Sequence, residues 1–149
     1  MTAFLAAAVI AGTPLLFATL GELITEKAGN LNLGVEGMML MGAVMGFAVG
    51  LWTGNPFLAI LGAIGAGALG AAIYALLTVT LRSNQVVTGL TLTIFGTGFA
   101  SFIGKSFMGT PAPASVKAVF VKLHIPLLSK IPVIGPAFFH QDIFIYFGY

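Results

Sequence analysis

The chain has 149 residues, 58% of them hydrophobic and 7% charged, with a mean hydropathy of +1.07. Soluble domains carry roughly a quarter charged residues, so this composition leaves too little polar surface for a water-soluble globule and points to an integral membrane protein. A formal net charge of +2 is too small to indicate nucleic-acid binding, and without cysteine there is neither a disulfide framework nor a thiolate metal site.

A helix rising about 1.5 Å per residue crosses a hydrocarbon core about 30 Å thick in about 20 residues. Apolar runs of that length follow one another along the chain. Phe4–Ile24 is the first; no Lys or Arg precedes Lys27, so it lacks the basic start of a signal peptide. Pro14 within it removes one backbone donor and is expected to bend the helix. Leu31–Trp52 is the second run, provided that Asn32 and Glu36 are counted in. Phe57–Leu81 is the third and Val86–Gly104 the fourth. Residues 105–142 are proline-rich, carry Lys105, Lys117, Lys122 and Lys130, and read as an aqueous loop. The chain then restarts with IFIYFGY, too short to span, which is expected to open a fifth helix. The fold class is thus an all-α polytopic helix bundle with about four complete spans and the start of a fifth, read as the N-terminal part of a longer protein.

Small residues mark where these helices meet. Gly42, Gly46 and Gly50 form GxxxGxxxG in the second run; in the third, Gly62, Ala66 and Gly70 line one ridge and Ala63, Gly67 and Ala71 the next. Lipid offers no hydrophobic drive between helices, so close backbone approach and van der Waals contact must hold them, and small residues allow it. Packing within one subunit is the expected use.

The polar residues inside the runs are harder to place. Asn30, Asn32 and Glu36 stand at the start of the second run, among Gly29, Gly34 and Gly37. A charged group in a membrane helix is costly and should face protein, water or a headgroup. Two readings stay open. An asparagine caps the helix with Glu36 near its positive end; or the glycines break the helix start, and the polar groups line a cavity, where unwound backbone is tolerated. The fourth run opens on RSNQVVTGLTLT, with Asn84, Thr88 and Thr91 on one face and Thr93, Thr97 and Ser101 roughly opposite. That stripe is either a polar lining or a helix contact, since membrane hydroxyls often bond back to their own helix.

Enzymatic chemistry finds little footing. His124, His140 and Asp142 all fall at or near the long loop, so neither a catalytic nor a metal site is expected; GxxxxGK[ST] is missing, so no P-loop holds a nucleotide here.

The segment AGNLNLGVEGMMLMGA followed by SNQVVTGLTLTIFGTG resembles the permease subunits of bacterial ABC importers. The resemblance is to the branch of branched-chain amino acid and ribose permeases, and within it to nucleoside and simple-sugar uptake permeases. Asn32, Gly34, Glu36, Gly37, Met38 and Gly42 match the first motif, and Asn84, Gln85, Val86, Val87 and Gly89 the second. The resemblance implies one part of a permease domain in the bacterial plasma (inner) membrane, working with a second permease subunit, two cytoplasmic ATPase subunits and an extracytoplasmic substrate-binding protein. ATP and magnesium would sit on the ATPases, with no cofactor on this chain. Asn30, Asn32, Glu36, Asn84, Gln85, Thr88 and Thr91 become candidates for the substrate path. The family's permeases are longer than this chain, and their ATPase-coupling segment has no counterpart here. The alternatives are a passive small-solute facilitator and a membrane scaffold whose polar residues serve packing only.

Orientation is not settled by charge. With the N-terminus outside, Lys27 and Arg82 lie in the cytoplasm, as positive charges prefer, but the lysines of the long loop then lie outside. The resemblance favours that arrangement, with residues 105–142 extracytoplasmic.

Overall fold

In the computed structural model, residues 2–121, 123–124 and 138–148 are described, and they are mostly helical. Helix α1 is Thr2–Lys27, α2 Val35–Thr53, α3 Pro56–Ala75 and α4 Gln85–Lys105. A π-helical turn, Leu76–Thr80, prolongs α3. Among the described residues, four helices are long and apolar enough to cross a membrane, as the apolar runs require. The long loop holds a short helix, α5 (Ala114–Lys117), and a 3-10 turn, Ala118–Phe120. A two-residue antiparallel pairing joins Leu123–His124 to His140–Gln141. Helix α6, Ile143–Gly148, follows, over the residues read as the opening of a fifth helix. Lys122 and Lys130 lie outside the described residues.

The chain divides into two compact units. The first comprises Met1–Leu20 and Lys117–Tyr149. Within it Phe17 stacks on Phe147 with ring centroids 6.3 Å apart, and Ile145 is 3% exposed. Asp142 starts α6 by accepting the N–H groups of Phe144 and Ile145 at 2.9 and 3.2 Å. Pro14 lies inside α1, which stays helical through it.

The second unit, Gly21–Val116, holds the last turns of α1 with α2, α3 and α4. Local chemistry sets its turns. The α2–α3 connection is the sequence TGNP. Gly54 ends α2 in the left-handed region (φ 63°), Asn55 accepts the Phe57 N–H at 2.9 Å, and Pro56 opens α3, where a missing donor costs nothing. Asn84 caps α4 by accepting the Val87 N–H at 3.0 Å.

The glycines of the GxxxGxxxG pattern in α2 lie against α3. A Cβ on Gly46 would lie 2.9 Å from the Ala63 Cβ, one on Gly50 3.3 Å from that of Ala59, and one on Gly42 3.1 Å from the Ala63 carbonyl. From the other side, a Cβ on Gly62 would meet Val49 at 2.9 Å and one on Gly70 the Met38 side chain at 3.0 Å. Gly67 is less crowded, its nearest such neighbour being the Met38 carbonyl at 4.0 Å. Helix α4 meets α2 still more closely. A Cβ on Gly37 would come to 2.5 Å from the Leu92 carbonyl, and one on Gly96 would run into the Gly37 backbone. Met38, Tyr74 and Leu92, from α2, α3 and α4, form the buried cluster below this crossing.

Candidate functional site

The second span does not begin where its apolar run does. Helix α2 starts at Val35, not at Leu31, and residues 28–34 are turn and irregular backbone. This corrects the helix start read from the sequence, and the cause is visible in the bonds. Gly29 sits at φ 85°, which turns the chain out of α1. Beyond it, side chains from three helices and from the segment itself take up the backbone polar groups.

Gln85, at the start of α4, grips the entry. Its Oε1 accepts the Leu31 N–H at 2.8 Å, while Nε2 donates to the Gly29 carbonyl at 3.3 Å and to Asn30 Oδ1 at 3.1 Å. The Leu31–Asn32 peptide is held at both ends: Tyr74 of α3 donates to its carbonyl at 2.6 Å, and Glu22 of α1 accepts its N–H at 2.7 Å. The Leu33–Gly34 peptide is held likewise. Thr93 of α4 donates to its carbonyl at 2.8 Å, and Asn32 Oδ1 accepts its N–H at 2.9 Å. The Asn32 amide nitrogen turns toward Met38 Sδ at 3.8 Å.

This irregular segment lies within the length of the neighbouring spans. Thr93 is about 12 Å along α4 from Gln85, and Tyr74 about 9 Å before the end of the third span at Thr80, at ~1.5 Å per residue. Backbone without helical bonds is tolerated at such a level only where protein or water satisfies it. Protein does so here. Gly89 makes the close approach possible, since a Cβ there would lie 2.8 Å from the Leu33 nitrogen.

The candidate residues separate accordingly. Asn30, Asn32 and Gln85 come together around the segment. Neither asparagine caps α2; its N-cap is Gly34, which makes no side-chain capping bond. Glu36 is exposed in the first turn of α2, with no hydrogen-bond partner among the described residues. Its negative charge suits the positive end of that helix. Asn84 is occupied by capping α4. Thr88 is buried, and Thr91 donates back to the Val87 carbonyl of its own helix at 2.8 Å. Both border a cleft of about 340 Å³ whose other walls are Ile73, Leu77, Leu92 and Phe95, so its lining is mainly apolar.

Glu22, Tyr74 and Thr93 are the residues that sequence reading did not assign to the site. A signal existed for Glu22, a carboxylate inside an apolar run, but it stands close to Glu26 and Lys27 and reads as the run's polar edge. Tyr74 carried no signal, because a tyrosine in an apolar run is ordinarily packing.

Residues 4–124 match the protein family described as branched-chain amino acid transport system / permease component. The chain is 44% identical over 91% of its length to TsgC13 of Haloferax volcanii, provisionally named as a glucose ABC transporter permease protein. It is 33% identical over 89% of its length to the guanosine ABC transporter permease protein NupQ of Bacillus subtilis, and equally to the nucleoside ABC transporter permease protein NupC of Lactococcus lactis. The matches cover 41%, 44% and 43% of these relatives, so the chain spans less than half of their length. No solved structure matches the chain.

Proposed function

Because this multi-pass membrane chain belongs to the family of branched-chain amino acid transport system permease components, we propose that it forms part of the transmembrane path of an ATP-driven importer for a small polar solute, a simple sugar or a nucleoside. The single observation that carries this reading is the irregular start of α2, held within the spans by side chains from α1, α3 and α4. A scaffold that needs only packing has no use for it, since a continuous helix would satisfy the same backbone groups without these polar side chains. The names of the relatives supply the solute classes.

In this reading the chain performs no chemistry on the solute. Residues 1–149 supply the N-terminal part of one permease domain in the plasma (inner) membrane. A second permease subunit completes the path, two cytoplasmic ATPases bind ATP and magnesium, and an extracytoplasmic binding protein delivers the solute. Asn30, Asn32, Glu36, Gln85, Thr88 and Thr91 are the path candidates. Glu36 is the one whose carboxylate is free to meet a passing hydroxyl. Asn84 contributes by setting the start of α4.

The test is reconstitution of the full-length protein with its ATPase and binding-protein partners in proteoliposomes. ATP-dependent accumulation of radiolabelled glucose or radiolabelled guanosine is the expected result. Uptake that runs equally well without ATP would make the protein a passive facilitator, and co-purification without any ATPase would point the same way.

A further inference from the structure

The Leu31–Asn32 peptide is held by side chains of two other helices, with Tyr74 on its carbonyl and Glu22 on its N–H. Glu22 is half-buried near the end of α1. Its Oε1 accepts the Asn32 N–H at 2.7 Å, whereas its Oε2 is shut off from solvent and has no hydrogen-bond partner among the described residues. An ionised carboxylate offers two acceptor oxygens with about four lone-pair sites. A buried carboxylate kept for its charge is ordinarily paired or bonded on both oxygens. Here one oxygen is engaged, and its partner is a neutral backbone N–H. What the fold uses at position 22 is one acceptor atom at one place.

We propose that Glu22 is a positioning residue for transport: it fixes the start of α2 through Oε1 alone, in concert with Tyr74, and its negative charge is dispensable. The inference rests on the permease reading and names what holds that site. If the acceptor is lost, the Asn32 N–H is orphaned in a water-poor setting. The same residue's side chain holds the Gly34 N–H, directly before Val35 and Glu36. A turn of the 31–32 peptide therefore displaces the first turn of α2. Glutamine keeps an acceptor oxygen where Oε1 stands and replaces the unpartnered oxygen by an amide nitrogen. Leucine keeps bulk and loses the acceptor. Phenylalanine at position 74 releases the other end of the same peptide.

The experiment uses the full-length permease in its assembled complex, as wild type and as Glu22→Gln, Glu22→Leu and Tyr74→Phe. Two quantities are measured: hydrogen–deuterium exchange of residues 28–34, and initial uptake rates of radiolabelled glucose and guanosine per assembled complex. The Gln variant is expected to match wild type in both. The Leu variant is expected to exchange faster in 28–34 and to lose about tenfold in maximal rate, the scale of one buried hydrogen bond left unmade, with KM unchanged. The Phe variant should share the faster exchange. Loss of uptake in the Gln variant with wild-type exchange would overturn the proposal and assign the work to the charge. Wild-type exchange in the Leu variant would overturn it as well. If the Leu variant fails to assemble, assembly and wild-type exchange of the Gln variant support the acceptor role, and failure of both overturns it. A wild-type complex that imports neither probe counts against the permease reading alone, and the exchange comparison still decides the role of Glu22.

Discussion

Glycines at the α2–α4 crossing show how single atoms set this structure. A Cβ on Gly37 would approach the Leu92 carbonyl to 2.5 Å, and backbone cannot step aside as a flexible side chain can. Gly98, on the same helix as Leu92, has nothing within 4 Å of the corresponding position. Gly37→Ala is therefore expected to destabilise the full-length permease by about 1–3 kcal/mol, the scale of overpacking. Gly98→Ala should be neutral or stabilising, since alanine favours a helix interior over glycine by about 0.5–1 kcal/mol. Thermal unfolding in detergent compares the two, and equal midpoints would show that the crossing relaxes freely. Glu36 behaves in the opposite way: exposed and without a partner among the described residues, it contributes little to holding the fold. Glu36→Leu is expected to abolish uptake and Glu36→Gln to reduce it, both at near-normal stability. Normal uptake per assembled complex in the Leu variant would remove Glu36 from the path.

At the scale of elements, Gly42, Gly46 and Gly50 of α2 stand against α3, and their spacing is the pattern that marks them as candidates for packing. Gly46→Leu would drive a branched side chain into Ala63 and the Ala59 carbonyl, which stand 2.9 and 3.2 Å from its would-be Cβ. Gly65, exposed and with nothing within 4 Å, is the control. The expected outcome is a strongly reduced folded yield for Gly46→Leu and a normal one for Gly65→Leu, read by size-exclusion chromatography in detergent. Equal yields would deny the ridge its packing role. The beginning of α2 was less legible. An apolar run scores Leu31 and Leu33 as helix, yet both peptides are bound to side chains from other helices. Those partners lie up to 60 residues away in sequence, beyond the reach of any local pattern.

For the second unit as a whole, the hydrogen bonds fix which connections share an end. Gln85 joins the α1–α2 connection to the start of α4, so the segments carrying Lys27 and Arg82 lie together. Ser115 donates to the Gly54 carbonyl at 2.5 Å, placing the chain after α4 beside the α2–α3 turn at the other end. Lys27 and Arg82 pull that side toward the cytoplasm and Lys105 pulls the opposite one, and the family resemblance favours the first. A cysteine at Ser115→Cys is then expected to react with an impermeant thiol reagent in intact cells, and one at Ser83→Cys only after permeabilisation. The reverse pattern would invert the topology.

The sequence by itself determined the membrane class and the number of spans, and it marked the small residues with which α2 and α3 face each other. Each of these follows from composition or from neighbours within a few residues, where hydropathy and helix period act. Only the tertiary structure decided that α2 begins at Val35, that Glu22 and Tyr74 belong to the site, and that Asn32 holds the Gly34 N–H instead of capping the helix. The physical reason is the same in each case. A backbone group in a water-poor setting takes whichever partner packing brings to it, and that partner is chosen by helices that meet in space and not in sequence.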